Sequence, residues 1–166
     1  MTAPHLSNLE RSVALPQLRL NLGCCDRRIG ESYLGVDIVP GAAVDEVADL
    51  RLRWPWEDGT VGRVLAHDII EHLPDKIHTM NELHRVLAVG AEAEIIVPTT
   101  DGPAAFQDPT HVSFWNRHSF WYYERGNPYR TRFAKGYGIT AEFRVCAESV
   151  QVTVDGPKLA ILLVKV

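Results

Sequence analysis

The chain has 166 residues, 17 basic and 21 acidic side chains, a net charge of -4 and a composition that is 46% hydrophobic and 23% charged. Such a chain is long enough to bury a core as one globular domain, and its acidity offers a phosphate backbone no basic footprint, so nucleic acid is not an expected partner. No apolar run approaches the roughly 18 residues of a membrane span, the first residues (MTAPHLSNLERS) lack the basic and apolar regions of a leader, and Cys24, Cys25 and Cys146 suit neither a metal knuckle nor a disulfide framework. These features point to a cytoplasmic protein with reduced thiols and no membrane contact.

Residues 1–17, with Pro4 and Pro16, read as a lead-in with a short helix near residues 9–15, ahead of a single domain over residues 18–166. Residues 18–37 (LRLNLGCCDRRIGESYLGVD) organise the rest of the chain. Leu18, Leu20 and Leu22 alternate into Gly23, and a second apolar run (Tyr33, Leu34, Val36) ends on Asp37, as the first two strands of an α/β sheet would. Ligands of open α/β sheets bind beyond the carboxyl ends of the strands, where a glycine admits the ligand to the backbone and an acid accepts from ribose hydroxyls. Gly23 and Asp37 are fourteen residues apart, against about 20 in a dinucleotide fold, which leaves no room for a full crossover helix and its pyrophosphate site. A nucleoside ligand without a phosphate loses little by that.

A short third strand is expected within residues 44–50 (VDEVADL), ending at Asp49, and a fourth over residues 61–66. From Asp68 to Leu87 the apolar residues recur at helical spacing; Pro74 divides this run into a turn and a helix over residues 75–87, closed by Gly90. A fifth strand, residues 94–97, stops at Pro98. Residues 99–138 form an insertion dense in aromatic rings, with a helix starting at Asn116 or Ser119, of the kind that builds lids and substrate loops. The chain closes with strands over residues 142–154 and 158–166 joined at Asp155-Gly156, an antiparallel hairpin. Alternating strands and helical segments predict an α/β fold: a doubly wound, mostly parallel, seven-stranded Rossmann-like sheet with its first crossover helix short or absent.

The motifs LNLGCC (20–25), GVDI (35–38), VADL (47–50), WPWEDGTVGRV (54–64), DIIEHL (68–73) and LHRVLAVG (83–90) together resemble the class I S-adenosylmethionine-dependent methyltransferases, in the branch of the methyltransferase type 11 domains. The resemblance runs in family order from Leu20 to about Pro98. It implies S-adenosyl-L-methionine as cofactor, with Asn21, Gly23, Cys24 and Cys25 in the loop against its methionine part and Asp37 and Ile38 at the ribose. Asp49 would meet the adenine amino group, Leu50 would lend its backbone to the ring edge, and the turn from His67 through Asp68 to Ile69 would add backbone contacts. Glu71 and His72 match the family's EHL, where capping or core hydrogen bonding is the expected role. The chain departs from the family at Cys25, which stands where a second glycine is usual; a side chain there narrows the pocket or forces another backbone conformation.

Methyl transfer from a sulfonium needs alignment and water exclusion more than catalytic side chains. Where the acceptor is a hydroxyl or amine a base assists, and His111 in DPTH (108–111) is the candidate, oriented by Asp108; relatives carry a similar DPTH here. Asp68 is the second polar group expected to face the acceptor. A metal site on Asp108, His111 and His118 lacks the spacing of known ligand motifs, so none is assigned. The expected function is a methyltransferase acting on a small-molecule or sugar-linked acceptor. The alternative is a non-catalytic module of the same fold, and a nicotinamide-dependent oxidoreductase is third, disfavoured by the absent phosphate-binding helix.

Overall fold

The computed structural model describes residues 15–166; the lead-in helix expected near residues 9–15 lies, but for Leu15, outside them. Seven strands form one sheet: β1 (Leu18–Leu22), β2 (Leu34–Asp37), β3 (Glu46–Val47), β4 (Val61–His67), β5 (Leu87–Pro98), β6 (Phe143–Thr153) and β7 (Gly156–Lys165), in the order β3-β2-β1-β4-β5-β7-β6. The first five run parallel, and β7 lies antiparallel between β5 and β6. The order reverses between β1 and β4, which makes the carboxyl ends of these two strands the switch point where ligands of such sheets bind. As the spacing required, residues 23–33 connect β1 to β2 by turns alone.

Register shows how the sheet buries one face. Leu20 pairs with Val64, Val64 with Ala93 and Ala93 with Leu163, and Leu22, Ala66, Ile95 and Ile161 form the next row, all almost fully buried. Helix α1 (Lys76–Val86) adds Met80, Leu83 and Val86 to this core. Its N-cap is Asp75, whose carboxylate accepts from the Ile77 and His78 amides, so the break expected at Pro74 is where the helix begins. The opposite face carries a polar ladder, in which Arg63 on β4 pairs with Glu92 and Glu94 on β5 and His67 Nε2 lies 2.9 Å from Glu94 Oε1. The strand order is therefore that of a doubly wound sheet.

Three expectations need correction. Gly90 does not close α1: the chain turns straight from Val86 into β5, and Gly90, at φ +83°, sits inside that strand where the pairing to β4 slips between Val61 and Arg63. A bulge consumes the residue that the sequence pattern offers as a helix stop. The third strand is only Glu46–Val47, so Asp49 stands in the turn beyond it. The closing turn is centred on Val154 and Asp155, with Gly156 already paired to Thr153.

The loop between β3 and β4 is tied to α1 by a buried ion pair. Arg85 donates to both Glu82 oxygens, at 2.8 and 2.6 Å, and to the carbonyls of Trp54 and Trp56, while Glu82 Oε2 accepts from the Trp54 amide at 2.7 Å. The WPWED and LHRV motifs thus meet as one structural lock. In the insertion, α2 (Ala104–Gln107) and a 3-10 turn (Arg117–Tyr122) capped by Asn116 precede α3 (Pro128–Tyr137). Trp115, Phe120 and Tyr123 enter the core, whereas Trp121, Tyr122, Tyr129, Phe133 and Tyr137 stack on one another outside it. Among the described residues no helix is long and apolar enough to cross a membrane.

Candidate functional site

Two pockets open side by side at the carboxyl ends of the parallel strands, and His72 belongs to the lining of both. The first, about 200 Å³, is lined by Gly23 after β1, Asp37 and Ile38 after β2, Ala48 to Arg51 after β3, and Ile69, His72 and Leu73 after β4. The second, about 230 Å³, is lined by Asp68, Glu71, His72, Pro98, Ala104, Gln107, Asp108, His111, Asp155 and Lys158.

The first pocket is built mostly by backbone. Gly23 has φ +65°, and a Cβ there would lie 2.8 Å from Ile69, so both conformation and the packing of Ile69 against the loop demand glycine. Asp37 Oδ2 accepts from the Cys25 amide at 2.9 Å and Oδ1 from the Val39 amide at 3.1 Å. Its carboxylate is thereby fixed at the mouth of the glycine loop. Cys25 keeps the left-handed backbone that a glycine would take, at φ 50°, and its exposed side chain stays out of the pocket lining. A side chain at this position therefore does not plug the pocket, and its left-handed backbone costs about 1 kcal/mol of strain.

Asp49 is held differently. Arg51 grips it with backbone and side chain, the Nε and Nη2 atoms each 2.8 Å from one carboxylate oxygen, and these hydrogen bonds pull its pKa down to about 2. Gly23, Asp37, Ile38, Asp49 and Leu50 therefore share one cleft, as the sequence suggested, and Arg51 joins them unforeseen. The other expected loop residues do not line it. Asn21 is buried beneath the loop and donates from Nδ2 to the Arg27 carbonyl at 3.2 Å, and Cys24 packs its thiol toward the Ala43 carbonyl, where burial raises its pKa. His67 faces Glu94 on the polar ladder. Arg28 is paired to Asp45 at 2.8 Å.

The second pocket is built by side chains from distant segments. Asp68, at φ 53°, turns its carboxylate into this pocket, where Oδ2 meets Lys158 of β7 at 2.7 Å. Glu71 is 2% exposed, its carbonyl accepts from the Val112 and Ser113 amides at 2.9 Å, and neither of its carboxylate oxygens has a partner. That corrects the hydrogen-bonding role expected of its side chain. Burial, with a smaller push from Asp68, raises the Glu71 pKa to about 8.

The His111 ring lies beside Glu71, with Nε2 3.9 Å from Oε1. Its Nδ1 is 3.2 Å from the Ala105 carbonyl, which can only accept, so in the neutral ring Nδ1 carries the proton and Nε2 keeps the lone pair. Asp108 is not its orienting group, because Oδ2 is 4.0 Å away. Asp108 instead accepts from the Thr110 amide and hydroxyl, at 2.8 and 2.6 Å, and Thr110 Oγ1 is 3.0 Å from His72 Nδ1. Having given its proton to Asp108, that hydroxyl accepts from His72, which again leaves Nε2 as the free nitrogen. His118, the third residue of the metal arrangement considered from sequence, stacks on Trp121 at 4.0 Å and lines neither pocket.

No family model and no curated protein matches the chain. Solved structures do. The YcgJ protein of Bacillus subtilis superposes with a TM-score of 0.62 at 9% identity, over 93% of this chain and 94% of that one. A methyltransferase of Methanosarcina mazei, described as S-adenosylmethionine-dependent, gives 0.55 at 14% identity over 93% and 94%. The geranyl diphosphate C-methyltransferase of Streptomyces coelicolor, solved with Mg2+, geranyl diphosphate and S-adenosyl-L-homocysteine, gives 0.58 at 14% identity over 93% and 74%. The chain has the fold of the class I S-adenosylmethionine-dependent methyltransferases.

Proposed function

We propose that the chain is an S-adenosylmethionine-dependent methyltransferase acting on a small-molecule or sugar-linked acceptor. The observation that carries this reading is the adjacency of the two pockets: a cleft floored by a bare glycine and walled by two carboxylates opens, at His72, beside a polar pocket holding a histidine lone pair. The residues present suit the cofactor. Asp37 retains acceptor capacity for ribose hydroxyls beyond its two amide bonds, Gly23 leaves its backbone uncovered, and Ile38, Leu50, Ile69 and Leu73 offer apolar flanks to an adenine ring. Asp49 Oδ2, with one bond from Arg51, has room for an amino group.

When bound, the cofactor supplies an electrophilic methyl group on sulfonium sulfur. The chain's own work is to place the acceptor in the second pocket, exclude water and manage one proton. Nε2 of His111 accepts that proton from an acceptor hydroxyl or amine, and the Ala105 carbonyl, already bound to Nδ1–H, steadies the imidazolium that forms. Asp108 acts one step away, setting the tautomer of His72 through Thr110. Lys158 is held on Asp68 at the pocket wall, where its remaining N–H groups can donate to a polar acceptor.

A second reading, a protein of this fold that binds no cofactor, draws on the Arg51 fork that already engages both Asp49 oxygens. Incubating the protein with methyl-labelled cofactor and fractionated metabolites separates the two. The enzyme transfers label to a small-molecule fraction and Asp37→Ala does not; absence of label in every fraction, together with no binding of the cofactor, supports the second reading.

A further inference from the structure

We propose that Glu71, His72 and His111 form a binding site for a first-row divalent transition-metal ion in the second pocket. One carboxylate oxygen of Glu71 and one ring nitrogen from each histidine lie within 4.8 Å of one another, the one such group of three among the described residues. Contraction of less than an ångström per side chain brings such a set onto a common centre at the roughly 2.0–2.2 Å typical of imidazole and carboxylate ligands.

Three independent features point to an ion. Glu71 is a buried carboxylate with both oxygens unpartnered; among the described residues only Asp68 Oδ1 and His84 Nε2 are likewise buried side-chain atoms without a hydrogen-bond partner. A carboxylate in that state is costly unless something cationic completes it. Both histidines are also prepared as ligands. The Ala105 carbonyl holds His111 by Nδ1, and Thr110, itself held by Asp108, holds His72 by Nδ1. A partner on the far ring nitrogen is the arrangement that fixes tautomer and orientation in metal-bound imidazole. Finally, Asp68, Asp108 and Glu71 face the pocket against the single ammonium of Lys158, so the local field favours a cation.

Two imidazoles and one carboxylate select zinc, iron, cobalt, nickel or manganese over magnesium or calcium, which take oxygen donors. Three protein ligands leave coordination positions open. An acceptor oxygen bound there would lose its proton more readily, so the ion and the His111 base are exclusive uses of one lone pair. Metal binding is measured without the cofactor, and its failure leaves the methyltransferase reading standing.

Chelator-stripped protein with alkylated cysteines, titrated calorimetrically with Zn2+, is expected to bind one ion per chain. Glu71→Gln and His111→Ala should each weaken binding roughly 100-fold, and the exposed His118→Ala should not. His72→Gln, at the rim between the pockets, serves where a buried substitution loses the fold, as judged by circular dichroism. Co2+ should give visible absorption bands that Glu71→Gln removes. No stoichiometric binding, or binding that survives both Glu71→Gln and His72→Gln undiminished, overturns the site.

Discussion

The two pockets share His72 and little else in the way they are made. In the first, glycine, strand ends and main-chain amides do most of the shaping: Asp37 accepts two amides, and Arg51 pulls the pKa of Asp49 down to about 2. In the second, Glu71 and His72 come from the turn after β4, Asp108 and His111 from the insertion, and Lys158 from β7, and the central acid is left without a partner, with its pKa raised to about 8. One pocket suits a ligand that every member of a fold could share. The other gathers titratable side chains from segments far apart in the chain.

Substitutions can separate the two pockets or merge them. His111→Ala should lower turnover about 100- to 1000-fold, the range of a lost base, while binding of S-adenosyl-L-homocysteine stays within about twofold because His111 does not line the first pocket. Loss of both properties together would make the two pockets one functional unit. Asp37→Ala should do the reverse, weakening the cofactor product roughly 10- to 100-fold, as expected for hydrogen bonds to a charged group, with Zn2+ binding intact.

One acid from each pocket, Glu71 and Asp49, should also respond to pH with opposite sign. Glu71 is raised from 4.5 to about 8, so the folded state binds more protons than the unfolded state across that window. Metal-free stability is therefore full below about 4.5 and declines as pH rises toward 8. Glu71→Gln should flatten that decline, leaving the variant on the order of 2 kcal/mol more stable than the parent at pH 9 by urea unfolding. Asp49, lowered from 3.8 to about 2, contributes stability present above 3.8 and lost as pH falls toward 2. A slighter change belongs to Cys25→Gly, which relieves the left-handed strain and should raise stability by about 0.5 kcal/mol in thermal unfolding, with cofactor affinity unchanged.

How far the sequence carries depends on the distance over which each feature is encoded. β1, Gly23, β2 and Asp37 lie within 20 residues, and strand alternation, a glycine and a terminal acid are local signals, so this part of the first pocket is legible, whereas Arg51, His72 and Leu73 enter it unannounced and Asn21, Cys24, Cys25 and His67 do not line it. Cys25 stands out as a missing glycine, but only coordinates show that cysteine keeps the glycine backbone. His67 stands at the end of the fourth strand, and its side chain follows strand alternation to the opposite face, onto Glu94. Helix α3 escapes the sequence reading although Asn127, Pro128 and Gly138 supply N-cap, first-turn proline and left-handed C-cap, because the density of aromatic rings suggests a lid. The meeting of Glu71 with His111, forty residues on, rests on Val112 and Ser113 donating to the Glu71 carbonyl, a long-range pairing that no local pattern announces.

Whether the glycine-floored cleft takes S-adenosylmethionine decides more than any other question about this chain. Isothermal calorimetry with S-adenosyl-L-homocysteine on the intact chain answers it without an acceptor. Saturable binding of one molecule per chain is expected, in the micromolar range typical of such ligands, weakened by Asp37→Ala and indifferent to His111→Ala. No heat at roughly millimolar ligand, or binding that Asp37→Ala leaves untouched, would refute the assignment of the cleft.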